Sequence, residues 1–400
     1  MKLIVLSTLL FFAFRPVTAH STEADTPVEP SANAAAVIQT ESVEAKSELT
    51  VQIEELFRLQ DDSARGSMDS LPAQKALLVT IGEKLAKEPL DHADDLAFHA
   101  AAYALSGGDP DAVARLSAAD GLPHAKKALL EASTTFMRGD REAARKLLAL
   151  VDPTTLPPFL AGRLALARAV IAEPNSMPQQ DDLAFAIASM PGTLVEESAL
   201  RRSALAYAAS GNESLFYRRL ARYCRRFPDS IYADSFWSDT IRSLVSLDLK
   251  NPDASFSRFA ATVRIADKSR QKKAYLELAR TAAIAGKRVL MERAAEELRE
   301  LADANSPEEN ISRLYENLYL VATSGDKEAL ERLNSISQDD LDQTEQSLRS
   351  AAISLGRSLM MPLQPPDDTG EVRPAERSPL IEKADTMLGQ SDVLLSQARS

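Results

Sequence analysis

Two adjacent carboxylates raise the question of chemistry. The stretch PGTLVEESALRR, residues 191–202, sets Glu196 and Glu197 beside a serine and ahead of two arginines. A carboxylic acid held in an apolar cleft with a raised pKa is what glycoside cleavage requires of its general acid. The same residues also build a helix start. Thr193 followed by Glu196 has the spacing of a capping box, in which the hydroxyl accepts from the Glu196 amide and the carboxylate returns to the Thr193 amide. Glu197 and Arg201, four apart, then make a helix-face ion pair worth about 0.3 kcal/mol. Every charge in the stretch has a helix-building role.

Other reactive combinations are weaker still. His20, His92, His99 and His124 have no metal-ligand spacing, so no metal or cofactor is expected. Ser269 to Lys272 matches Ser-x-x-Lys, but without its companion motifs, and no phosphate-binding glycine loop or Gly-x-Ser-x-Gly elbow occurs. Arg138-Gly139-Asp140 looks like an adhesion tripeptide but falls at a helix turn, and Asn212 and Asn310 begin glycosylation triplets. The Glu197-Ser198 pair resembles that of lytic transglycosylases. The compact, aromatic-lined catalytic domain of those enzymes and their glycine- and glutamine-containing motifs have no counterpart downstream. Catalysis is not expected, and a peptidoglycan-cleaving enzyme is the least favoured reading.

One cluster invites a binding role. ESLFYRRLARYCRR, residues 213–226, places Arg218, Arg219, Arg222, Arg225 and Arg226 on one helix face, opposite a stripe of Phe216, Leu220, Tyr223 and Phe227. Five like charges repel, although the last two gain from the helix C-terminus. Two readings stand: a solvated face paired with acids of adjacent helices, or a docking patch for an acidic partner. Cys224, the single cysteine, cannot form an internal disulfide and reads as a small buried apolar residue.

The elements that must position these residues are helical. Apolar content is 45% and aromatic content only 6%, and no alternating β pattern of useful length occurs. Five glycine turns, at Gly108, Gly139, Gly211, Gly286 and Gly325, each follow a small-residue helical run. Four and five residues after each glycine come Ala112 and Val113, Ala143 and Ala144, Leu215 and Phe216, Leu290 and Met291, Ala329 and Leu330, all apolar. Asn175 and Asn251 lie near the nodes missing from the two long gaps, giving a mean step of about 36 residues. The fold expected is all-α: a right-handed helical-repeat solenoid of tetratricopeptide-like helix-turn-helix units, each burying its apolar face against its neighbours and exposing a concave surface to a protein guest.

The ends set the compartment. Lys2 precedes LIVLSTLLFFAF, and Val17-Thr18-Ala19 sets small residues ahead of a cut after Ala19, which reads as a cleaved signal peptide over 1–19. Residues 20–48 read as a disordered acidic tether, 49–361 as the helical repeat domain and 362–377 as a proline-rich linker. Residues 378–399 read as a C-terminal amphipathic helix with Leu380, Ala384, Met387, Leu388, Leu394, Leu395 and Ala398 on one stripe. With 58 Asp+Glu against 46 Lys+Arg, the chain is acidic. It should repel nucleic acid, and after the leader no stretch is long enough to span a membrane.

MPGTLVEESALRR, continuing through SGNESLFYRRLARYCRRFPDSIYADSF, resembles the periplasmic motility protein family MotC of rhizobia and related alphaproteobacteria. LPAQKALLVTIGEKL, YALSGGDP and LPPFLAGRLALARA agree with it, and the similarity covers roughly residues 55–245. The resemblance implies an exported, non-enzymatic accessory of the flagellar motor, needed for rotation, that binds the periplasmic domain of the stator protein MotB. It carries over no catalytic or binding residue. A general envelope scaffold for cell-wall enzymes or outer-membrane assembly factors is the alternative.

Overall fold

The computed structural model describes residues 47–247 and 249–360. The leader, nearly all of the acidic tether, the proline-rich linker and the last amphipathic segment lie outside the described residues. Among those described are seventeen α-helices, two short 3₁₀ turns and no strand. In chain order the helices are α1 (Glu48–Ala64), α2 (Ser70–Leu85), α3 (Ala93–Leu105), α4 (Pro110–Leu116), α5 (His124–Met137) and α6 (Arg141–Ala149). Then come α7 (Pro158–Ile171), α8 (Met177–Ser189), α9 (Leu194–Ala209), α10 (Glu213–Arg226), α11 (Ala233–Ser246) and α12 (Pro252–Val263). The last five are α13 (Lys268–Ile284), α14 (Arg288–Leu301), α15 (Pro307–Ser324), α16 (Lys327–Ser335) and α17 (Gln343–Met360).

Local chemistry fixes where these helices begin. Asp109, Asp140, Asn212, Asn251, Asp267 and Asp326 each accept an amide two or three residues on, satisfying a donor that the helix itself leaves free. Three starts share a longer device. Asn175, Gly192 and Asn305 hold φ of 60°, 82° and 61°, each followed by a Ser or Thr cap. Each of their amides donates to the side chain four residues on: Gln179 at 2.9 Å, Glu196 at 2.6 Å, Glu309 at 2.6 Å. The carboxylate of Glu196 thus returns to the Gly192 amide rather than to Thr193, because the left-handed residue turns its own N–H toward the helix.

The helices pack as a sequential stack. Past the middle there are two rows: α9, α11, α13, α15 and α17 touch in order, and α10, α12 and α14 do the same beside them. Eight of the ten apolar residues that follow the glycine turns are buried, with Ala143 and Leu215 half-buried. Gly139, Gly211, Gly286 and Gly325 are left-handed, as a helix stop needs. Two nodes differ. Gly107 takes the left-handed φ in place of Gly108, whose missing Cβ would sit 2.4 Å from the Tyr103 ring. Asn251 has φ −138° and caps α12, whereas Asn305 is the second left-handed asparagine.

The first half departs from strict neighbour packing. α3 touches α7 as well as α5, and α1 touches α9. The end of α1 is fixed by backbone and side chain together: the Leu194 amide donates to Asp61 at 2.8 Å, the Ile231 amide to the Ser63 carbonyl at 3.2 Å, and Arg65 to the Gly192 carbonyl at 3.2 Å. Inside this curl, the buried Arg163 of α7 stacks 3.6 Å above the Phe57 ring of α1 and donates to Ser106 at 3.0 Å. The curl brings α1 onto the start of α9, where Glu196 and Glu197 lie.

Candidate partner-docking surface

Antiparallel packing of α10 on α9 places the last turn of one helix beside the first turn of the other. The α9 N-terminus favours acids and the α10 C-terminus favours arginines, so the two ends attract before any side chain is fixed. Glu196 and Glu197 are both fully buried, at 0% side-chain exposure. Arg222 donates to Glu196 Oε1 through Nε at 3.1 Å and Nη2 at 2.6 Å. Arg226 approaches Oε2 through Nε at 3.0 Å and Nη2 at 2.9 Å. With the Gly192 amide also on Oε2, the carboxylate is saturated by charge-assisted donors.

Glu197 faces the other way, into the core. Its Oε1 accepts from the Tyr223 hydroxyl at 3.0 Å and the Ser230 hydroxyl at 3.0 Å, and Arg201 Nε stands 2.8 Å away. The Arg201 guanidinium lies 5.0 Å from the centre of the Tyr232 ring. Burial works against the charge on Arg201, but the Glu197 carboxylate outweighs it and holds the pKa above its ordinary value. Burial first, then the Glu197 charge, push the Tyr223 phenol far above its usual range, so it remains a donor. The expected surface pair is therefore a buried one, and removing one partner of such a pair costs roughly 3–5 kcal/mol rather than a few tenths. A carboxylate enclosed by a guanidinium and two hydroxyls offers no opening to a sugar, which removes the motive for assigning Glu197 a role in glycoside cleavage.

The five arginines separate into two groups. Arg222 and Arg226 are spent on Glu196, with 38% and 41% of their side chains still exposed. Arg218 and Arg225 are exposed, Arg219 is half-buried, and none of the three meets a carboxylate among the described residues. The opposite stripe of Phe216, Leu220, Tyr223 and Phe227 is buried, so the helix is locked in rotation and Arg218 and Arg225 share one outward arc, while Arg219 lies at the edge of the buried side with its Nε buried and unpartnered. On an acidic chain this is a local positive surface suited to carboxylates of a partner. The role of Glu196 as anchor had one signal in the sequence: arginines four apart, at 222 and 226, can close on a single carboxylate.

Other sequence candidates resolve into structure. Arg138 pairs with Asp111 at 2.7 Å and Asp140 caps α6, so the adhesion-like tripeptide is a helix turn. Lys272 lies 3.5 Å from Asp303 on the surface of the stack. Asn310 donates to Asp340 at 2.8 Å and Asn212 caps α10. Cys224 is buried, and burial pushes its thiol up to about 12. His99 stacks on Phe159 with ring centres 4.5 Å apart. Among the described residues no group of three or more His, Cys, Asp or Glu is placed to hold a metal ion, and no helix is long and apolar enough to cross a membrane.

The sequence model of the chemotaxis protein MotC family matches residues 5–397. The chain belongs to the MotC family. The match is wider than residues 55–245 and includes both ends. The chemotaxis protein MotC of Rhizobium meliloti (strain 1021) is 28% identical over 328 residues, which cover 78% of this chain and 72% of the relative. No solved structure matches the chain. MotC membership makes this a motility- and chemotaxis-related protein, and the family is not an enzyme family.

Proposed function

We propose that this chain is a periplasmic, non-enzymatic accessory of flagellar rotation that binds the periplasmic domain of the stator protein MotB. Arg218, Arg219 and Arg225 form the docking patch in this reading, and Arg222 and Arg226 hold the helix that presents it. Export rests on the leader pattern at residues 1–19, and the motor role on membership of the MotC family. The observation that carries the patch is that three of five arginines on one helix face have no acid partner among the described residues while the other two are anchored to Glu196. A stacked-helix surface with a fixed cluster of guanidiniums suits recognition of an acidic protein segment, because Arg donors match carboxylates in geometry as well as charge.

The test is co-purification from periplasmic extract with the chain carrying Arg218→Glu and Arg225→Glu together. The wild-type chain recovers the stator protein, and the double variant recovers at least about tenfold less, as loss of close interfacial charge pairs implies. Recovery of cell-wall synthases instead would favour a general envelope scaffold. Deletion of the gene abolishes swimming while filaments still assemble; a deletion strain that swims normally would overturn the motor role.

A further inference from the structure

The last described helix leaves an apolar face open at the end of the stack. α17 packs on α15 and α16 through Arg349, Ala352, Ile353 and Gly356. The approach is close: a Cβ on Gly356 would fall 2.4 Å from Val321 of α15. Along one flank of that packed face Leu348, Ala351, Leu355 and Leu359 follow one another at three- and four-residue steps, with Leu348 half-buried against the core and the other three exposed. Leu355 is 44% exposed and Leu359 51% exposed, and Met360, next in the chain, is exposed as well. A solenoid ends stably when its terminal unit turns a polar face outward. The outermost face of α17 is polar in this way, with Ser347, Ser350, Ser354, Arg357 and Ser358 exposed, and the leucines open on one flank.

We infer that residues 378–399 of the same chain cover this flank and complete the final hairpin. The occupant follows from length and pattern. Residues 361–400 continue from the end of α17, and residues 361–377 can extend to roughly 55 Å, ample to reverse direction and return along the helix. Residues 378–399 carry Leu380, Ala384, Met387, Leu388, Leu394, Leu395 and Ala398 at helical spacing. A helix of that length would span about 33 Å, against about 27 Å for the 18 residues of α17.

The experiment uses the full chain with Leu355→Cys as a thiol probe, compared with and without Leu388→Glu and Leu395→Glu. Among the described residues Leu355 is solvent-exposed, so the probe leaves their packing intact, and the buried native Cys224 reports that the core stays closed. With the native segment, labelling at position 355 is slowed by at least about tenfold, as a state docked ten to one would give. The two glutamates restore fast labelling at position 355 while Cys224 stays unlabelled. Equal rates in both chains would overturn the inference. So would protection that appears only as sedimentation shows dimer forming, because a second copy would then be the occupant.

Discussion

Arg222 of α10 donates to Glu196 of α9 at 2.6 Å, joining side chains 26 positions apart at a point where the carboxylate has no contact with water. Arg226 closes on the second oxygen. The pair fixes how α10 lies on α9, and hence which way the free arginines point. Glu196→Gln removes the charge and leaves two half-exposed guanidiniums facing a neutral amide. The expected loss is about 3 kcal/mol, the low end for a broken buried pair because the arginines reach solvent. Urea unfolding reads it as a lower midpoint at unchanged slope. A loss under about 0.5 kcal/mol would place the contact with ordinary surface pairs.

Glu197→Gln tests the deeper pair. Arg201 would keep its position with no counter-charge, so a loss of roughly 3–5 kcal/mol is expected. Replacing both partners, as Glu197→Gln with Arg201→Met, removes the stranded charge and fills similar volume. The double variant is expected to regain more than half of that loss in the same unfolding measurement. Losses that simply add would show that the two side chains act independently.

Much of this architecture was legible in the residues. The glycine turns, the apolar pairs that follow them and the Phe216–Phe227 stripe depend on local periodicity, and local periodicity survives into the fold. The Thr193 cap and the buried cysteine were readable for the same reason. What was not readable is where elements distant in sequence meet. Nothing in PGTLVEESALRR says that Glu196 and Glu197 will be buried, since capping and helix-face pairing use the same residue types in water. The return of α1 onto α9 was hidden likewise, because Asp61 and Ser63 look like ordinary helix-end residues until the curl brings Leu194 and Ile231 to them.

Asp61 gives this junction a pH dependence. Burial is the largest influence and raises its carboxyl above the usual range, partly offset by the Leu194 amide and then by Arg163 and Arg65. An acid raised in the folded state contributes stability that is fully present below its unfolded pKa and lost as pH rises through its folded value. At neutral pH the chain therefore carries Asp61 in its less favoured, charged form. Asp61→Asn keeps an oxygen for the Leu194 amide and removes the charge. The melting temperature of the variant should exceed that of the wild type near pH ~7, and the difference should vanish below about pH 3.9. A lower melting temperature at neutral pH would show that attraction to Arg163 and Arg65 outweighs burial.

Gly66 is where the same junction admits no side chain. Its φ is +103°, and a Cβ there would lie 2.6 Å from the Asp229 carbonyl oxygen, which is backbone and cannot swing aside. Gly66→Ala combines an unfavourable dihedral, worth roughly 1–3 kcal/mol, with a contact that only displacement of the α10–α11 turn relieves. The total expected is about 3 kcal/mol. Gly121→Ala is the control, since Gly121 has φ +77° but open space around it, and should lose only the dihedral share of roughly 1–3 kcal/mol. Amide exchange distinguishes local opening from general loosening. In Gly66→Ala the amides of Leu194 and Ile231, bonded to Asp61 and Ser63, should exchange faster. Those within α13 and α15 should not change, because they lie further along the stack and a stacked repeat transmits strain chiefly to the units it touches. Faster exchange throughout would mean instead that contact between α1 and α9 holds the entire row in place.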